Sequence, residues 1–338
     1  MRWTSRLRGA SWLGRTGGRP ARRGILLSPL PLALPLALAG CMLATLALAG
    51  CVPESGELGV LEKVWGRPGP VDGRFSKPRA IAIDAQDRIY VVDMTARIQV
   101  FDAEGNFLRV WQTPEHANGR PTGLSVGRDG QILVPDTHYA RLLVYSPTGD
   151  LLQTIGGVRG EKPGQFGLLT DVVQDSEGCY YVSEYGEYDR IQKFTAEGKF
   201  VLQWGGHGAE PGQFARPQSL ALDENENLWV ADACNHRVQV FDRRGKLLSV
   251  WGKEGSGPGE LYYPYGLVLR PDDSVYIAEF GNHRVQKFTR DGRSLGTWGG
   301  HGRQPGQLAN PWGLVRDSRG SFHVLDTGNH RVQKVRMR

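Results

Sequence analysis

Net positive charge is almost absent from the chain once its first fifty residues are set aside. The 338 residues carry a formal net charge of +6, but residues 1–50 contain seven arginines and no Lys, Asp or Glu. Removing these arginines takes the net charge from +6 to −1. Domains that bind phosphate backbones usually carry a surplus of Lys and Arg on one face. The near-neutral balance of residues 51–338 therefore argues against a nucleic-acid partner.

Cysteine is also scarce in this sequence. The chain has four, and two of them, Cys41 and Cys51, lie at an apolar N-terminal segment. Cys179 and Cys234 fall in different sequence repeats at different offsets, so nothing in the repeat frame brings their side chains together. We therefore expect no disulfide framework, and two free thiols that are buried or half-buried.

The N-terminal segment has the pattern of an export signal. An arginine-rich start is followed by an apolar run over residues 25–50, which ends in Leu-Ala-Gly before Cys51. A positive segment, an apolar segment and small residues before a cut site are typical of a secretory signal. The residues before Cys51 resemble the bacterial lipobox, whose Cys receives diacylglycerol before the signal is removed. We predict an export signal over residues 1–50, lipidation of Cys51 and a short tether over residues 51–58.

These features predict an exported, membrane-anchored lipoprotein, in the periplasm or on the cell surface. Two alternatives stay open: a second lipobox ends at Cys41, and an uncleaved apolar run of this length could span a bilayer. Cleavage at Cys41 would leave residues 42–50 with nothing to bury them, and three prolines oppose a spanning helix, so we favour Cys51. The sequence does not distinguish Sec from twin-arginine export, or an inner from an outer membrane.

An internal repeat dominates the rest of the chain. An arginine recurs every 44 to 49 residues, with an acidic residue four to six positions before it. The six pairs are Asp93 and Arg97, Asp136 and Arg141, Glu184 and Arg190, Asp232 and Arg237, Glu279 and Arg284, and Asp326 and Arg331. Each unit has the pattern of four short strands, which in the fourth unit are residues 218–222, 228–231, 237–241 and 247–251. The strands are apolar at consecutive positions, so both faces of each sheet are expected to be buried.

The number of units predicts how the repeats close on themselves. The sixth unit ends at Arg338 after its third strand, and its missing fourth strand should resemble residues 247–251. Residues 61–66 do resemble that strand, and they stand before the first unit. We therefore predict an all-β, six-bladed β-propeller over residues 59–338, in which this N-terminal strand completes the last blade and leaves no exposed sheet edge.

The repeated motif P-x-G-[IL]-A-[VL]-D, followed by [VI]-[AS]-[DE] and N-x-R-[VI]-Q-x-F, resembles NHL repeats. The resemblance covers essentially all of residues 59–338. The second unit departs from it, since Thr137-His138-Tyr139-Ala140 forms the turn and Ile155 replaces a tryptophan that other units carry. The resemblance implies a six-bladed ring and does not name a ligand.

Three histidines, His236, His283 and His330, lie in Asn-His-Arg turns and could suggest a metal site. Because they occur once per blade, they are expected to lie apart around the ring and not to converge on one ion. We interpret the Asn of each turn as the residue in the left-handed conformation, and the Arg as the partner of the acidic residue before it. We therefore predict no metal, no cofactor and no catalytic cluster of carboxylates.

The residue at the x position of P-x-G varies between units, while the acidic residue and the arginine of the scaffold recur in every unit. In a propeller this position projects beside the central channel, on the rim shared with the turn between the second and third strands. The six residues are Arg79, Thr122, Thr170 (after Leu169 in place of Pro), Gln218, Tyr265 and Trp312. Variation at a fixed offset indicates a functional surface, although about half of the aromatic residues there are expected to plug the channel. Adding two turn residues, we predict a binding site at Arg79, Thr122, Gln218, Tyr265, Trp312, Tyr185 and Phe280.

Three functions compete for this site. Residues 170–222 resemble the lyase that cleaves peptidyl-hydroxyglycine to an amide and glyoxylate, and this resemblance implies zinc held by histidines after Pro in three blades. None of the six residues at that position is His here, so the resemblance carries the scaffold without the metal ligands. RNA-binding NHL domains use a basic face, which export and the near-neutral charge both oppose. We predict a non-catalytic binding protein of the cell envelope whose rim grips a protein, peptide or glycan.

Overall fold

The computed structural model describes residues 58–338, which form six four-stranded antiparallel sheets arranged as the blades of a propeller. The first strand in the described residues is β1 (Gly59–Trp65). The first blade consists of β2 (Ala80–Ile83), β3 (Ile89–Val92), β4 (Arg97–Phe101) and β5 (Phe107–Gln112). The second consists of β6 (Ser125–Val126), β7 (Ile132–Asp136), β8 (Arg141–Tyr145) and β9 (Leu151–Gly156), and the third of β10 (Leu168–Gln174), β11 (Tyr180–Tyr185), β12 (Arg190–Phe194) and β13 (Phe200–Gly205).

The fourth blade consists of β14 (Pro217–Leu222), β15 (Leu228–Asp232), β16 (Arg237–Phe241) and β17 (Leu247–Trp251), and the fifth of β18 (Pro264–Leu269), β19 (Ser274–Glu279), β20 (Arg284–Thr289) and β21 (Ser294–Gly299). The sixth blade consists of β22 (Gly313–Arg316), β23 (Ser321–Asp326) and β24 (Arg331–Met337), and β1 is its fourth strand. The all-β, six-bladed prediction is confirmed, and in the fourth blade the predicted strand bounds differ from the observed ones by at most one residue. Both faces of the second and third strands are largely buried, as their unbroken apolar runs predicted.

The N-terminal strand closes the ring. β1 pairs antiparallel with β24, and the register runs from Gly59 opposite Met337 to Trp65 opposite Val332. The predicted closing strand over residues 61–66 is therefore confirmed. Beside the seam, the backbone N–H of Arg338 donates a 2.9 Å hydrogen bond to the carbonyl of Leu58. Closure pairs the free edge of β24 and leaves the fourth strand of every blade at the outside of the ring.

In four of the six blades, a tryptophan of the fourth strand packs against a turn of the next blade. Trp204 of β13 packs under Gly245, which lies in the turn between β16 and β17 with φ +80°. A Cβ at Gly245 would lie 2.7 Å from the Trp204 ring, so the turn needs a glycine both for its backbone and for this close approach. The same contact joins Trp65 to Gly105, Trp111 to Gly149 and Trp251 to Gly292. Ile155 takes the tryptophan's place in the second blade and packs against Gly198.

The repeated arginines and acidic residues are ion pairs, as predicted. The N–O distances are 3.1 Å for Arg97 and Asp93, 2.9 Å for Arg141 and Asp136, 2.6 Å for Arg190 and Glu184, 2.8 Å for Arg237 and Asp232, 2.6 Å for Arg284 and Glu279, and 2.6 Å for Arg331 and Asp326. Each guanidinium also ties down the loop that leads into its own blade. That of Arg237 donates to the carbonyls of Ala209, Glu210 and Gln213. These carboxylates are structural, which confirms the interpretation that they fix turns.

The left-handed residue of the Asn-His-Arg turns is the histidine, so the prediction that placed the asparagine there is wrong. His236, His283 and His330 each have φ +55°. The asparagine instead lies in the short turn and its side-chain amide donates to the acidic residue three positions earlier, as Asn235 does to Asp232 at 2.8 Å. The left-handed backbone aims each imidazole at the neighbouring blade, where its Nδ1 accepts a backbone N–H.

The two cysteines of the described residues are free thiols, as predicted. Cys179 is half-buried, but Cys234 is exposed because it lies in the short turn 233–235, so the expectation of burial is wrong for that residue. The predicted signal over residues 1–50, lipidation of Cys51 and most of the tether lie outside the described residues. Within residues 58–338, no helix has the length and apolar character needed to cross a membrane.

Candidate functional site

The central channel holds a cavity of about 230 Å³, which runs along the first strands of the six blades, for example from Arg79 to Ile83 in the first blade. The first strand of every blade contributes to its wall, because these strands stand closest to the axis of the ring. All six of the variable residues predicted from the P-x-G position line this cavity, which we call the mouth: Arg79, Thr122, Thr170, Gln218, Tyr265 and Trp312. A cavity of this size admits a small chemical group or a side chain, whereas a whole folded partner would have to contact the rim around it.

Tyr265 and Trp312 line one side of the mouth, and the ring of Phe280 packs against both of them. Tyr265 stacks on Phe280 with ring centres 4.6 Å apart. The ring of Trp312 is steeply inclined to both, and its centre lies 5.1 Å from that of Tyr265 and 5.8 Å from that of Phe280. We call these three residues the aromatic wall. Tyr265 is 8% exposed and supports the other two rings, which are half-buried. Phe280 and Trp312 are therefore the rings with surface free for a ligand.

Two arginines lie against these aromatic rings. The guanidinium of Arg79 is 5.9 Å from the centre of the Trp312 ring, and that of Arg216 is 4.6 Å from Tyr185 and 5.4 Å from Tyr265. The Nε of Arg216 donates a 2.9 Å hydrogen bond to the side-chain carbonyl of Gln218. The structure thus brings six of the seven predicted binding residues into one continuous arc around the aromatic wall: Arg79, Trp312, Phe280, Tyr265, Gln218 and Tyr185.

Thr122, the seventh predicted residue, lies in the opposite part of the wall. It is 5% exposed, and its hydroxyl is within 2.9 Å of the Thr137 hydroxyl and also donates to the carbonyl of Leu169 in the next blade. Thr170 repeats this arrangement with Ser183 and the carbonyl of Pro217. These hydroxyls hold neighbouring blades together, so we assign this side of the mouth a packing role.

Two residues of the site were missed from the sequence. Arg216 lies immediately before Pro217 and has a left-handed backbone, with φ +61°. Its side chain contacts Gln218 and Tyr265, which line the mouth. Asp171 follows Thr170, at an irregularity in the pairing of β10 with β11 between Leu169 and Val172. Bulges of this kind redirect a side chain, and here the result is a carboxyl group in the wall of the mouth.

Asp171 is the one acidic residue among those that line the mouth in the described structure. Its two oxygens accept 2.9 Å hydrogen bonds from the backbone N–H groups of Val172 and Leu220. Burial within the ring nevertheless raises its pKa to about 7, because no arginine or lysine lies close enough to form an ion pair with it. The carboxyl group therefore changes charge close to neutral pH.

The histidines of residues 58–338 do not converge on the mouth. Those of the Asn-His-Arg turns bond to neighbouring blades, and His207 pairs with Asp189 at 2.6 Å. In this part of the chain, the cluster with metal-ligand geometry is Asp175, Glu177 and Cys179. It lies in the turn between β10 and β11, where Asp175 already accepts two backbone N–H groups and pairs with Lys193 at 3.2 Å. The hydrogen bonds and the ion pair of Asp175 are those of a residue that stabilises a turn.

Comparison with known families identifies NHL repeats in this chain. The family model described as NHL repeat matches residues 214–241, 261–288 and 308–335, which are the loop and first three strands of the last three blades. The predicted motif is therefore confirmed where its units are most alike. The first three blades have the same architecture but a more divergent sequence.

Two curated relatives and one solved structure show what the chain resembles. It is 40% identical over 130 residues to the peptidyl-glycine alpha-amidating monooxygenase of Mus musculus, a match that covers 35% of this chain and 13% of that protein. It is 31% identical over 175 residues to NHL repeat-containing protein 3 of Mus musculus, covering 46% of this chain and 49% of that protein. The chain thus matches half or less of the length of these relatives.

The structure resembles an auxiliary nutrient binding protein from Bacteroides thetaiotaomicron, with a TM-score of 0.59, 13% sequence identity, and coverage of 77% of this chain and 69% of that one. At this identity the likeness shows a shared propeller fold. The mouth of the present chain must therefore be interpreted from its own residues.

Proposed function

From its NHL repeats and its six-bladed propeller, we propose that this chain is a non-catalytic binding protein of the cell envelope. The mouth grips one group of a protein, peptide or glycan partner, and the surrounding rim contacts the rest. The observation that supports this most is the convergence of Phe280, Trp312 and Tyr265 with two arginines around a small cavity. Aromatic residues and arginine dominate the binding energy of protein interfaces. A nutrient-binding protein among the structures of the same fold is consistent with this role.

Cross-linking in native envelopes tests the proposal. A photoreactive amino acid at Phe280, on the mouth, should capture a discrete partner, whereas the same group at Leu248 on the outer strand β17 should not. Both positions carry an apolar side chain with exposed surface. Labelling of the same partner from both positions would show that the rim of the mouth is not the binding surface.

The energetic contribution of the aromatic wall is tested by truncation. The double variant Tyr265→Ala with Trp312→Ala should abolish partner capture, and the milder Phe280→Ala should weaken it about tenfold or more, since each ring removed costs roughly 1–2 kcal/mol or more. The matched control, Leu248→Ala with Leu295→Ala, removes two exposed apolar side chains from outer strands. Circular dichroism and melting temperature establish that each variant retains the ring. Capture at the original level by the double variant would place the site elsewhere.

The envelope location rests on the N-terminal segment. Metabolic labelling with a radioactive fatty acid should mark the chain, Cys51→Ala should lose the label, and Cys41→Ala should keep it. A label that persists in the Cys51 variant and disappears in the Cys41 variant would move the lipid to the earlier box. An unlabelled chain in the soluble fraction would contradict the location.

Lyase activity is the second candidate, because the identity with the amidating monooxygenase reaches 40% over 130 residues. Purified protein incubated with zinc and a peptidyl-hydroxyglycine should release no glyoxylate, since no histidine follows the proline of any P-x-G motif. Glyoxylate release with a stoichiometric metal ion would replace the binding function with this reaction.

A further inference from the structure

Arg79 and Arg216 differ from the repeated arginines of this fold. Each of the six repeated arginines pairs with a buried Asp or Glu at 3.1 Å or less. Within residues 58–338, neither Arg79 nor Arg216 lies within ion-pair distance of a carboxylate. Their positive charges therefore have no ion-pair partner in this part of the chain, although Arg79 lines the mouth and Arg216 contacts two residues that line it, Gln218 and Tyr265.

The aromatic rings orient these two guanidiniums without using their hydrogen-bonding groups. Arg216 lies over Tyr185 and Tyr265 and uses only its Nε, towards Gln218, so its terminal nitrogens stay available. The side chain of Arg79 makes no hydrogen bond to the described residues and is held over Trp312. A guanidinium that is fixed by stacking loses less entropy when it binds a planar ligand.

Partial burial also strengthens the interaction of Arg79 with an anion. Burial, more than repulsion from Arg216 and Arg120, lowers the pKa of Arg79 from its usual value. A partly desolvated cation interacts more strongly with an incoming anion than one in water. Asp171, the acidic residue in the wall, is occupied by the backbone N–H groups of Val172 and Leu220 and forms no ion pair with either arginine.

We infer that the mouth binds a carboxylate, held by the forks of Arg79 and Arg216, while the group that carries it stacks on Phe280 and Trp312. This inference rests on the proposed binding function and specifies its ligand chemistry. Arginine forms two parallel hydrogen bonds with a carboxylate, and a planar or apolar group next to that carboxylate would meet the aromatic wall. A carboxylate that enters a channel of this kind belongs to a small acid or to a chain end, such as a sugar acid or the last residue of a peptide.

Titration calorimetry with two matched pairs of small probes tests the inference on the full chain in detergent. The first pair is N-acetylphenylalanine and its amide, and the second is glucuronate and glucose. In the pair that matches the natural source, the acid should bind at least about tenfold more tightly than its neutral partner, a difference of about 1.4 kcal/mol. The pair that shows this preference distinguishes a peptide terminus from a sugar acid.

Charge-neutralising variants identify the residues responsible. Arg216→Gln and Arg79→Gln should each reduce the preference for the acid to less than about threefold, and Arg216→Lys should restore part of it, since Lys keeps the charge and loses the fork. The matched control is Arg244→Gln, which neutralises an exposed arginine in the turn between β16 and β17. Circular dichroism confirms that each variant keeps the propeller.

Several outcomes would overturn the inference. They are equal binding of acid and neutral probe, an acid preference that survives both Arg→Gln variants, or no binding of any probe in the millimolar range. If the neutral probes bind as tightly as the acids and Phe280→Ala weakens their binding, the binding function stands while the carboxylate inference falls. If acids bind and a hydroxyglycine peptide is also turned over, the carboxylate inference stands while the non-catalytic function falls.

Discussion

The backbone N–H of Asn310 donates a 2.9 Å hydrogen bond to Nδ1 of His283 in the preceding blade. The same bond joins Tyr263 to His236 at 3.1 Å and Lys77 to His330 at 3.0 Å. In the third blade, Asp189 takes the place of the histidine and accepts the N–H of Arg216. The first two blades have Ala96 and Ala140 at this position, so the histidine contacts cover half of the ring. Each of these bonds requires an imidazole whose Nδ1 carries no proton.

This hydrogen bond predicts a loss of stability in mild acid. Burial lowers the pKa of His236 and of His283, so the folded ring binds protons there less readily than the unfolded chain does. The stabilisation is complete above about pH 6.5, the ordinary histidine pKa, and is lost as the pH falls below that value. Melting temperatures between about pH 7.5 and pH 5 should therefore fall more steeply for the wild type than for the triple variant His236→Asn, His283→Asn, His330→Asn. Asparagine tolerates the left-handed backbone, and parallel curves would contradict the prediction.

Gly245→Ala should destabilise the ring more than a substitution at a comparable glycine. Both Gly245 and Gly212 have left-handed φ values, +80° and +87°, so alanine costs roughly 1–2 kcal/mol at either. A Cβ at Gly245 also meets Trp204 at 2.7 Å, whereas one at Gly212 meets no atom within 4 Å. Overpacking adds about 1–3 kcal/mol at Gly245 alone. Thermal melts of the two variants provide the measurement. Equal decreases in melting temperature would show that the Trp204 ring moves aside without a loss of stability.

Trp65→Ala should weaken closure of the ring. Trp65 is 6% exposed and contacts Phe75 and Phe101 of the first blade, with ring centres 5.9 Å and 4.9 Å away. Its truncation should cost about 3–5 kcal/mol and favour association through the freed edge of β24. Val60→Ala, on the same strand but 56% exposed, is the control and should melt within a few degrees of the wild type. Melting and light scattering are the measurements; two monomeric variants of equal stability would refute this account of closure.

Binding of an acidic probe should strengthen as Asp171 becomes protonated. With its pKa raised to about 7 by burial, Asp171 places a negative charge in the mouth at about pH 8 and little at about pH 6. Calorimetry should show affinity several-fold higher at the lower pH, and Asp171→Asn should bind equally at both. Three other groups near the mouth have shifted pKa values: burial lowers that of Arg79, raises that of Tyr265 and lowers that of His138. Because the Asp171→Asn variant keeps all three groups, a pH dependence that disappears in that variant belongs to Asp171. Tighter binding at the higher pH would exclude an electrostatic role for Asp171.

The fold was predictable because every blade repeats the same pattern of strands and turns. Apolar runs bounded by glycine and aspartate define the strands, and the acidic residue and arginine of each unit mark the same turn. The closing strand was found because β1 resembles the fourth strand that the last blade lacks. Repetition thus supplied a set of aligned examples within a single chain.

The binding site was predictable to the extent that it follows the repeat. The residues after proline converge because each begins the strand nearest the axis. Arg216 and Asp171 were missed because their direction depends on a left-handed backbone and on an irregular strand pairing, which spacing does not reveal. The asparagine and histidine of the turns were interpreted wrongly for a similar reason, since asparagine is the usual left-handed residue but here its amide is bound to an aspartate.

The pairing of β1 with β24 also determines how the propeller responds to mechanical load. Gly59 and Met337 are opposite each other at one end of the seam, so a pull on the segments next to them would separate the strands as a zipper opens. Each pair of backbone hydrogen bonds would then break in turn, from Gly59 towards Trp65, and no group of bonds would bear the force together. The ring should for this reason open at this seam under low tension.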